Sequence, residues 1–365
     1  MRSVELFTGC GGLGLGLSRA GFQHQLLVEW NQNAVETVLY NRNRGLEHVK
    51  HWPIIKNDVR SIDWRAYQGA TLVAGGPPCQ PFSIGGKHKG DEDHRDMWPQ
   101  AIRAVREVSP QAFIFENVRG LSRPKFAPYL NAIVDQLGRA GKTNIGYHVS
   151  LTLVNAADFG AAQKRHRLVI SGIRRDIIAT VPSLLATHSR ERLLWDQWVS
   201  GTYWTEHGIK APMCGSTKIE MAAVARLHQH MVEPEGKRWV TVRDVLKGLG
   251  EPNGIGNHCF QNGARAYTGH TGSPLDQPAK ALKAGDHGVP GGENMMVRDD
   301  GSVRYFTIRE AARLQGLPDD YEFRCSWSES MRQLGNAVPT QLAFAVGSWI
   351  RDNLNSTPER KLLAA

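Results

Sequence analysis

Cysteine is scarce in this sequence. There are five in 365 residues, an odd number, at Cys10, Cys79, Cys214, Cys259 and Cys325, and none forms a C-x-x-C pair. Such scatter excludes a disulfide framework and a structural zinc site, and it fits a reducing compartment. No apolar run reaches the roughly 18 residues of a membrane span, and no basic start leads into an apolar stretch, so neither a membrane anchor nor a signal peptide is expected. His228 and His230 lack further ligands around them and read as surface residues, so no metal is expected. Internal repeats and low-complexity tracts are absent. Basic side chains, by contrast, are in excess: Lys and Arg number 44 against 35 Asp and Glu, a net charge of +9. The excess is local, since residues 1–182 carry 23 basic and 15 acidic side chains whereas 183–300 carry 13 of each. A polyanionic partner for the first half is consistent with this, although charge alone does not select it.

The length allows a substantial core and two domains. Apolar runs at Val4–Phe7, Gln25–Glu29, Leu72–Gly75, Ala112–Glu116, His148–Val154 and Leu168–Gly172 read as strands. Helical spacing appears between them at 31–41, 97–108 and 128–139. Strands alternating with helices predict a mostly parallel, doubly wound α/β sheet. Beyond about residue 182 the pattern weakens, with Gly-rich turns at 253–272 and 284–292. Periodicity returns at 307–315 and 340–354. The expected division is therefore a catalytic, cofactor-binding domain over 1–185, a smaller irregular domain over 186–303, and a return to the first domain over 304–365.

Two loops carry the chemistry. In LFTGCGGLGLG (6–16), Gly9, Gly11 and Gly14 match G-x-G-x-x-G after a strand, and Glu29 ends the next strand 20 positions beyond Gly9. Backbone at such a loop approaches a nucleotide-like ligand closely, and the acid accepts from ribose hydroxyls. Trp30 would stack on an adenine and Asp58 would accept from its amino group. On these residues alone a nicotinamide dehydrogenase fits equally well. The second loop, GGPPCQPFS (75–83), holds Cys79 between prolines at the carboxyl end of a strand, where active sites of open sheets lie. A lone cysteine is ordinarily a buried packing residue, but this rigid context favours a nucleophile.

With these residues in place, the sequence resembles the DNA (cytosine-5)-methyltransferases, and the likeness runs through the chain in the family's order. It is carried by the glycine loop, PPCQ (77–80), ENV (116–118), QKRHR (163–167), REAARLQGLPDDYEF (309–323) and GNAVP (335–339). PLDQPAKALKAGDHG (274–288) is similar to the segment that precedes the fifth of these. The resemblance implies a Rossmann-like S-adenosylmethionine-dependent methyltransferase sheet with a second, smaller, irregular target-recognition domain. It also implies the cofactor S-adenosyl-L-methionine, held by Phe7, Thr8, Gly9, Cys10, Gly11, Gly12, Leu13, Glu29, Trp30, Asp58, Val59, Pro77, Asn336 and Ala337.

The chemistry agrees. C5 of cytosine is a poor nucleophile until a thiolate adds at C6 and makes the ring an enamine. The resemblance gives that attack to Cys79, beside Gln80, and gives the acid at N3 to Glu116. It has Arg165 contacting the cytosine and Glu116, with Arg167 supporting the loop or a phosphate. A stacked cytosine must swing out of the duplex first, at roughly a few kcal/mol. Ser83, Lys87, Lys89 and Arg95 are expected to contact DNA around the nucleophile loop, and Lys283, Gly285, Asp286 and His287 to read it from the second domain.

Glu5 stands where many members carry Asp, and Met97 and Trp98 where Leu is usual. Because the first strand begins at Met1, the sequence looks like a bacterial or phage modification enzyme. It is expected to be a cytoplasmic, nucleoid-associated monomer acting on double-stranded DNA, with a cognate restriction endonuclease or as an orphan. A transfer-RNA methyltransferase of the same family is the alternative, disfavoured because no C-F-T motif follows the nucleophile. A catalytically dead DNA-binding regulator is disfavoured because Cys79, Glu116 and Arg165 are all present.

Overall fold

The computed structural model describes residues 1–78, 96–141, 145–212, 217–268, 271–284 and 292–356. A seven-stranded sheet organises the chain: β1 (Arg2–Leu6), β2 (Gln23–Glu29), β3 (Ile54–Lys56), β4 (Leu72–Gly75), β5 (Ala112–Val118), β6 (Tyr147–Asn155) and, beyond the two-residue β7 (Gln163–Lys164), β8 (His166–Arg174). Their spatial order is β3-β2-β1-β4-β5-β8-β6. The first five run parallel, whereas β8 pairs antiparallel with both β5 and β6.

The central strands are short apolar runs because helices cover both faces. On one face, Phe113, Phe115 and Ile170 pack against α3 (Trp98–Val108) and α4 (Ala127–Gly138). On the other, Leu72, Ala74 and Ile114 pack against α1 (Gly12–Arg19) and a long C-terminal helix, Thr340–Asn355. A further core joins β2 and α2 (Gln32–Asn43) to later parts of the chain, among them Ala279, Leu282 and Leu314.

Between 186 and 303, expected to be irregular, the described residues form four α-helices: α5 (Arg190–Trp198), α6 (Thr202–His207), α7 (Lys218–His230) and α8 (Val242–Leu246). They are tied by short pairings. β9 (His188–Ser189) meets β10 (Lys237–Arg238), and Leu193, Tyr203, Trp204 and Trp239 make a small core with Ala157. Here β11 (Ser273–Pro274), β13 (Met295–Val297) and β14 (Val303–Tyr305) form a small sheet, while β12 (Ala279–Lys280) returns to pair with β7. The chain then continues through α9 (Ile308–Leu314), α10 (Trp327–Asn336) and α11, the long helix of residues 340–355. Among the described residues, no helix is long and apolar enough to cross a membrane.

Candidate active site

Parallel strands put their carboxyl ends on one edge, so the turns leaving β1, β2, β4 and β5 gather there, and the order reverses between β1 and β4. A cleft of about 780 Å³ opens at that edge. Phe7, Thr8, Gly9, Cys10, Leu13, Glu29, Pro77, Glu116, Arg165, Arg167, Lys283, Asn336 and Ala337 all line it. Sequence positions more than 300 residues apart are thereby brought together, as their motifs require.

The glycine loop is held in a demanding conformation. Phe7 has φ 59°, unusual for a side-chain-bearing residue, and Gly9 has φ 58°. The Gly9 amide donates to Glu29 at 2.7 Å and the Asn31 amide donates to its other oxygen at 2.7 Å, fixing the carboxylate at the cleft wall. Cys10 is buried, its Sγ 3.6 Å from the Gln333 carbonyl, and burial pushes its thiol up to about 12. Gly12 admits no side chain, since a Cβ there would lie 2.4 Å from the Val338 carbonyl oxygen. Beneath the loop Glu5 is buried against Gly14, and its carboxyl is held well above the usual range, first by burial and then by Glu29.

Trp30 is 67% exposed, and Trp30, Asp58 and Val59 lie outside the cleft wall. The Asp58 carboxylate caps the turn Val59–Ser61 and meets the Arg60 guanidinium, which together hold it below its ordinary value.

The two arginines of QKRHR stand in different surroundings. Glu116 is paired with Arg167, Nε to Oε1 2.5 Å, and not with Arg165. The reason is register. Val118 on β5 faces Arg167 on β8, so Glu116 and Arg167 are diagonal neighbours on one face of adjacent antiparallel strands. Arg165 falls in the break between β7 and β8, where it is only 2% exposed. Its guanidinium donates to the carbonyls of Leu282 at 3.1 Å and Gly335 at 2.7 Å, and its amide donates to Asn155 at 3.0 Å.

Gln163 extends this frame. Its carbonyl accepts from the Leu282 amide at 3.2 Å, and its amide donates to the Gln315 side chain at 3.1 Å. Gly335 packs so closely on this segment that a Cβ would sit 2.4 Å from the Ala284 nitrogen. Asn294 brackets Lys283 with two hydrogen bonds of 3.1 Å, and the Lys283 ammonium pairs with Glu293 at 2.7 Å.

Sequence reasoning assigned no role to Asn117, yet it is 2% exposed and donates to the Pro77 carbonyl at 3.1 Å, anchoring the chain that leaves β4. A polar residue at the end of an apolar strand was the available signal. Arg119, also unassigned, lines the cleft. Cys79, Gln80, Ser83, Lys87, Lys89, Arg95, Gly285, Asp286 and His287 lie outside the described residues.

An open sheet with an antiparallel strand beside β5, a glycine turn after β1 and an acid–arginine pair at the shared edge define a Rossmann-like methyltransferase. The chain belongs to the C-5 cytosine-specific DNA methylases, whose family description matches residues 1–352. It is 32% identical to the Type II methyltransferase M.NgoMIV of Neisseria gonorrhoeae, over 95% of this chain and 96% of that one. With the Type II methyltransferase M.PspPI of a Psychrobacter strain it shares 31% identity over 98% of this chain and 80% of the other. A solved Schizosaccharomyces pombe Dnmt2 methyltransferase shares the fold at a TM-score of 0.58 and 18% identity, covering 97% of this chain and 99% of that one. The protein is a site-specific DNA cytosine-5 methyltransferase, and a transfer-RNA substrate is the less supported reading.

Proposed function

We propose that catalysis runs through Cys79, Glu116 and Arg167, with S-adenosyl-L-methionine as methyl donor. One observation carries this reading: the Glu116–Arg167 pair shares a cleft with the glycine loop and with Pro77 and Pro78, which lead directly into position 79.

The cleft suits the donor. Glu29 is fixed for ribose hydroxyls, and the Thr8 hydroxyl is buried with no hydrogen-bond partner among the described residues. Phe7, Pro77, Asn336 and Ala337 supply walls, and Trp30 and Asp58 stand beyond them for an adenine. S-adenosyl-L-methionine supplies an electrophilic methyl group when bound. The protein does the rest. The Cys79 sulfur adds to C6 of an extruded cytosine, and charge moves to N3, where a proton shared with Glu116 neutralises it. Arg167 orients the Glu116 carboxyl and presents a cation to the ring. Arg165 acts one step back, fixing the 282–284 backbone on which the cytosine-facing wall depends. Once C5 is methylated its proton passes to solvent water, N3 returns its proton to Glu116, and the electrons of the C5–H bond form the C5–C6 double bond and expel the Cys79 thiolate.

The expected partner is double-stranded DNA in the cytoplasm and nucleoid, contacted by Ser83, Lys87, Lys89 and Arg95 and read from 186–303 by residues such as Lys283. The protein acts as a monomer, beside a cognate endonuclease or alone. Incubation with a 5-fluorocytosine duplex and methyl donor should yield a covalent complex that Cys79→Ser abolishes. Persistent trapping by that variant would refute the assignment. Bisulfite sequencing of DNA from expressing cells would give the recognised sequence.

A further inference from the structure

The chain that leaves β5 carries three cations in seven residues, Arg119, Arg123 and Lys125, and no Asp or Glu occurs from Asn117 to Val134. Arg119 and Lys125 sit on two short 3₁₀ turns, Arg119–Ser122 and Pro124–Phe126, and the extended Arg123 joins the two. Leu121 and Phe126 are buried between them and pin the turns to the core that also holds Phe115 and Leu168. The backbone is tied as well: the Ser122 hydroxyl donates to the Arg119 carbonyl at 2.9 Å, and the Phe126 amide donates to the Arg123 carbonyl at 2.9 Å.

Elsewhere arginines are mostly neutralised by neighbouring carboxylates, as in Arg103–Glu107 and Arg304–Glu310. These three cations have no carboxylate partner among the described residues, and Lys125 only rests over the Phe126 ring, 4.6 Å from its centre. Arg119 lines the cleft three residues after Glu116. Local self-repulsion of this kind is tolerated where a polyanion relieves it.

We propose that residues 119–125 form a phosphate-binding ridge that grips the backbone of the DNA beside the extruded cytosine. At roughly 2 Å rise per residue in the turns and about 3.3 Å across the extended Arg123, the stretch spans at most about 13 Å. That matches the axial extent of three to four phosphates of one strand at about 3.4 Å each. Because the ridge is continuous with β5, strand placement and Glu116 placement are set by one rigid element. These contacts read no sequence; they fix register, leaving base recognition to other residues.

The test is the salt dependence of binding to a short fluorescein-labelled duplex of mixed sequence, followed by anisotropy. Changing Arg119→Ala, Arg123→Ala and Lys125→Ala together should flatten the slope of log affinity against log salt by about two to three units. Affinity should fall at least tenfold near 0.1 M salt. The swap Arg119→Lys, Arg123→Lys, Lys125→Arg should keep the wild-type slope. An alanine triple whose slope stays within about half a unit of wild type overturns the ridge, as does a charge-preserving swap that flattens it equally. Should the triple fail to fold, each single alanine should remove about one unit, and unchanged singles overturn the proposal. The inference rests on DNA being the substrate. Failure of the wild type to label duplex DNA would remove that premise, whereas an unchanged slope in an active enzyme would remove only the ridge.

Discussion

Replacing Arg165 by methionine separates a framing role from a direct one. The substitution keeps most of the side-chain volume but deletes the two donors that hold the Leu282 and Gly335 carbonyls. Hydrogen bonds to a charged group contribute roughly 1.5–3 kcal/mol each, and the carbonyls would remain buried, so a loss of about 3–5 kcal/mol is expected. With an unfolding entropy of about 2.1 cal/mol/K per residue, a 365-residue chain loses about 4–6 °C in Tm for that change. Calorimetry measures it directly. Hydrogen exchange adds location, because the Leu282 amide, now donating to Gln163, should lose protection. Methyl transfer should fall as well, through loosening of the 282–284 wall. The reasoning is refuted if Arg165→Met melts within about 1 °C of wild type yet no longer forms the covalent complex with 5-fluorocytosine DNA. The guanidinium would then be acting on the base itself.

Glu116→Gln removes the proton donor at N3 and should slow methyl transfer by roughly 10²–10⁴-fold; single-turnover rates decide, and a loss below tenfold would contradict the role. Gly335→Ala forces a Cβ to within 2.4 Å of the Ala284 nitrogen and the Lys283 carbonyl carbon, both backbone atoms. It should cost about 1–3 kcal/mol and displace the 283–284 segment, which denaturant titration with crystallography would show. His24 accepts from the Ser3 hydroxyl and donates to the Gly14 carbonyl, each at 3.0 Å, and burial lowers it from 6.5 to about 4. The unfolded chain therefore takes up this proton first. The stabilisation is complete above pH 6.5 and drains away as the pH falls toward 4. Melting curves at about pH 7 and about pH 5 should show a smaller decline in His24→Gln, by about 1–2 kcal/mol, than in wild type.

Six of the seven sheet strands were legible in sequence because each carries a short, largely apolar run. β3 escaped notice, having only three residues, two of them exposed. The helix Trp327–Asn336 was hidden by its polar exterior, WSESMRQLGN, of which only one side packs inward. The four helices between 190 and 246 were obscured for another reason: much of what binds them is ion pairing, such as Arg190–Glu220 and Arg192–Asp196, and ring-on-ring packing, such as Tyr203 on Trp204. Neither leaves a hydrophobic period. At the site, motif order placed the glycine loop, Glu29, Glu116 and Asn336 in one cleft. What it missed was that Arg167, not Arg165, pairs with Glu116, because a break in one strand is invisible to a two-residue alternation.

The long helix over residues 340–355 has a biosynthetic consequence. It covers the sheet face formed by β4, β5, β6 and β8, and its Ala343 packs where Gly16 of α1 has no side chain, a Cβ there falling only 2.3 Å away. During translation that face stays bare until this helix clears the ribosome, so its apolar side chains are open to chaperones until then. The methyltransferase fold is completed only by that docking event.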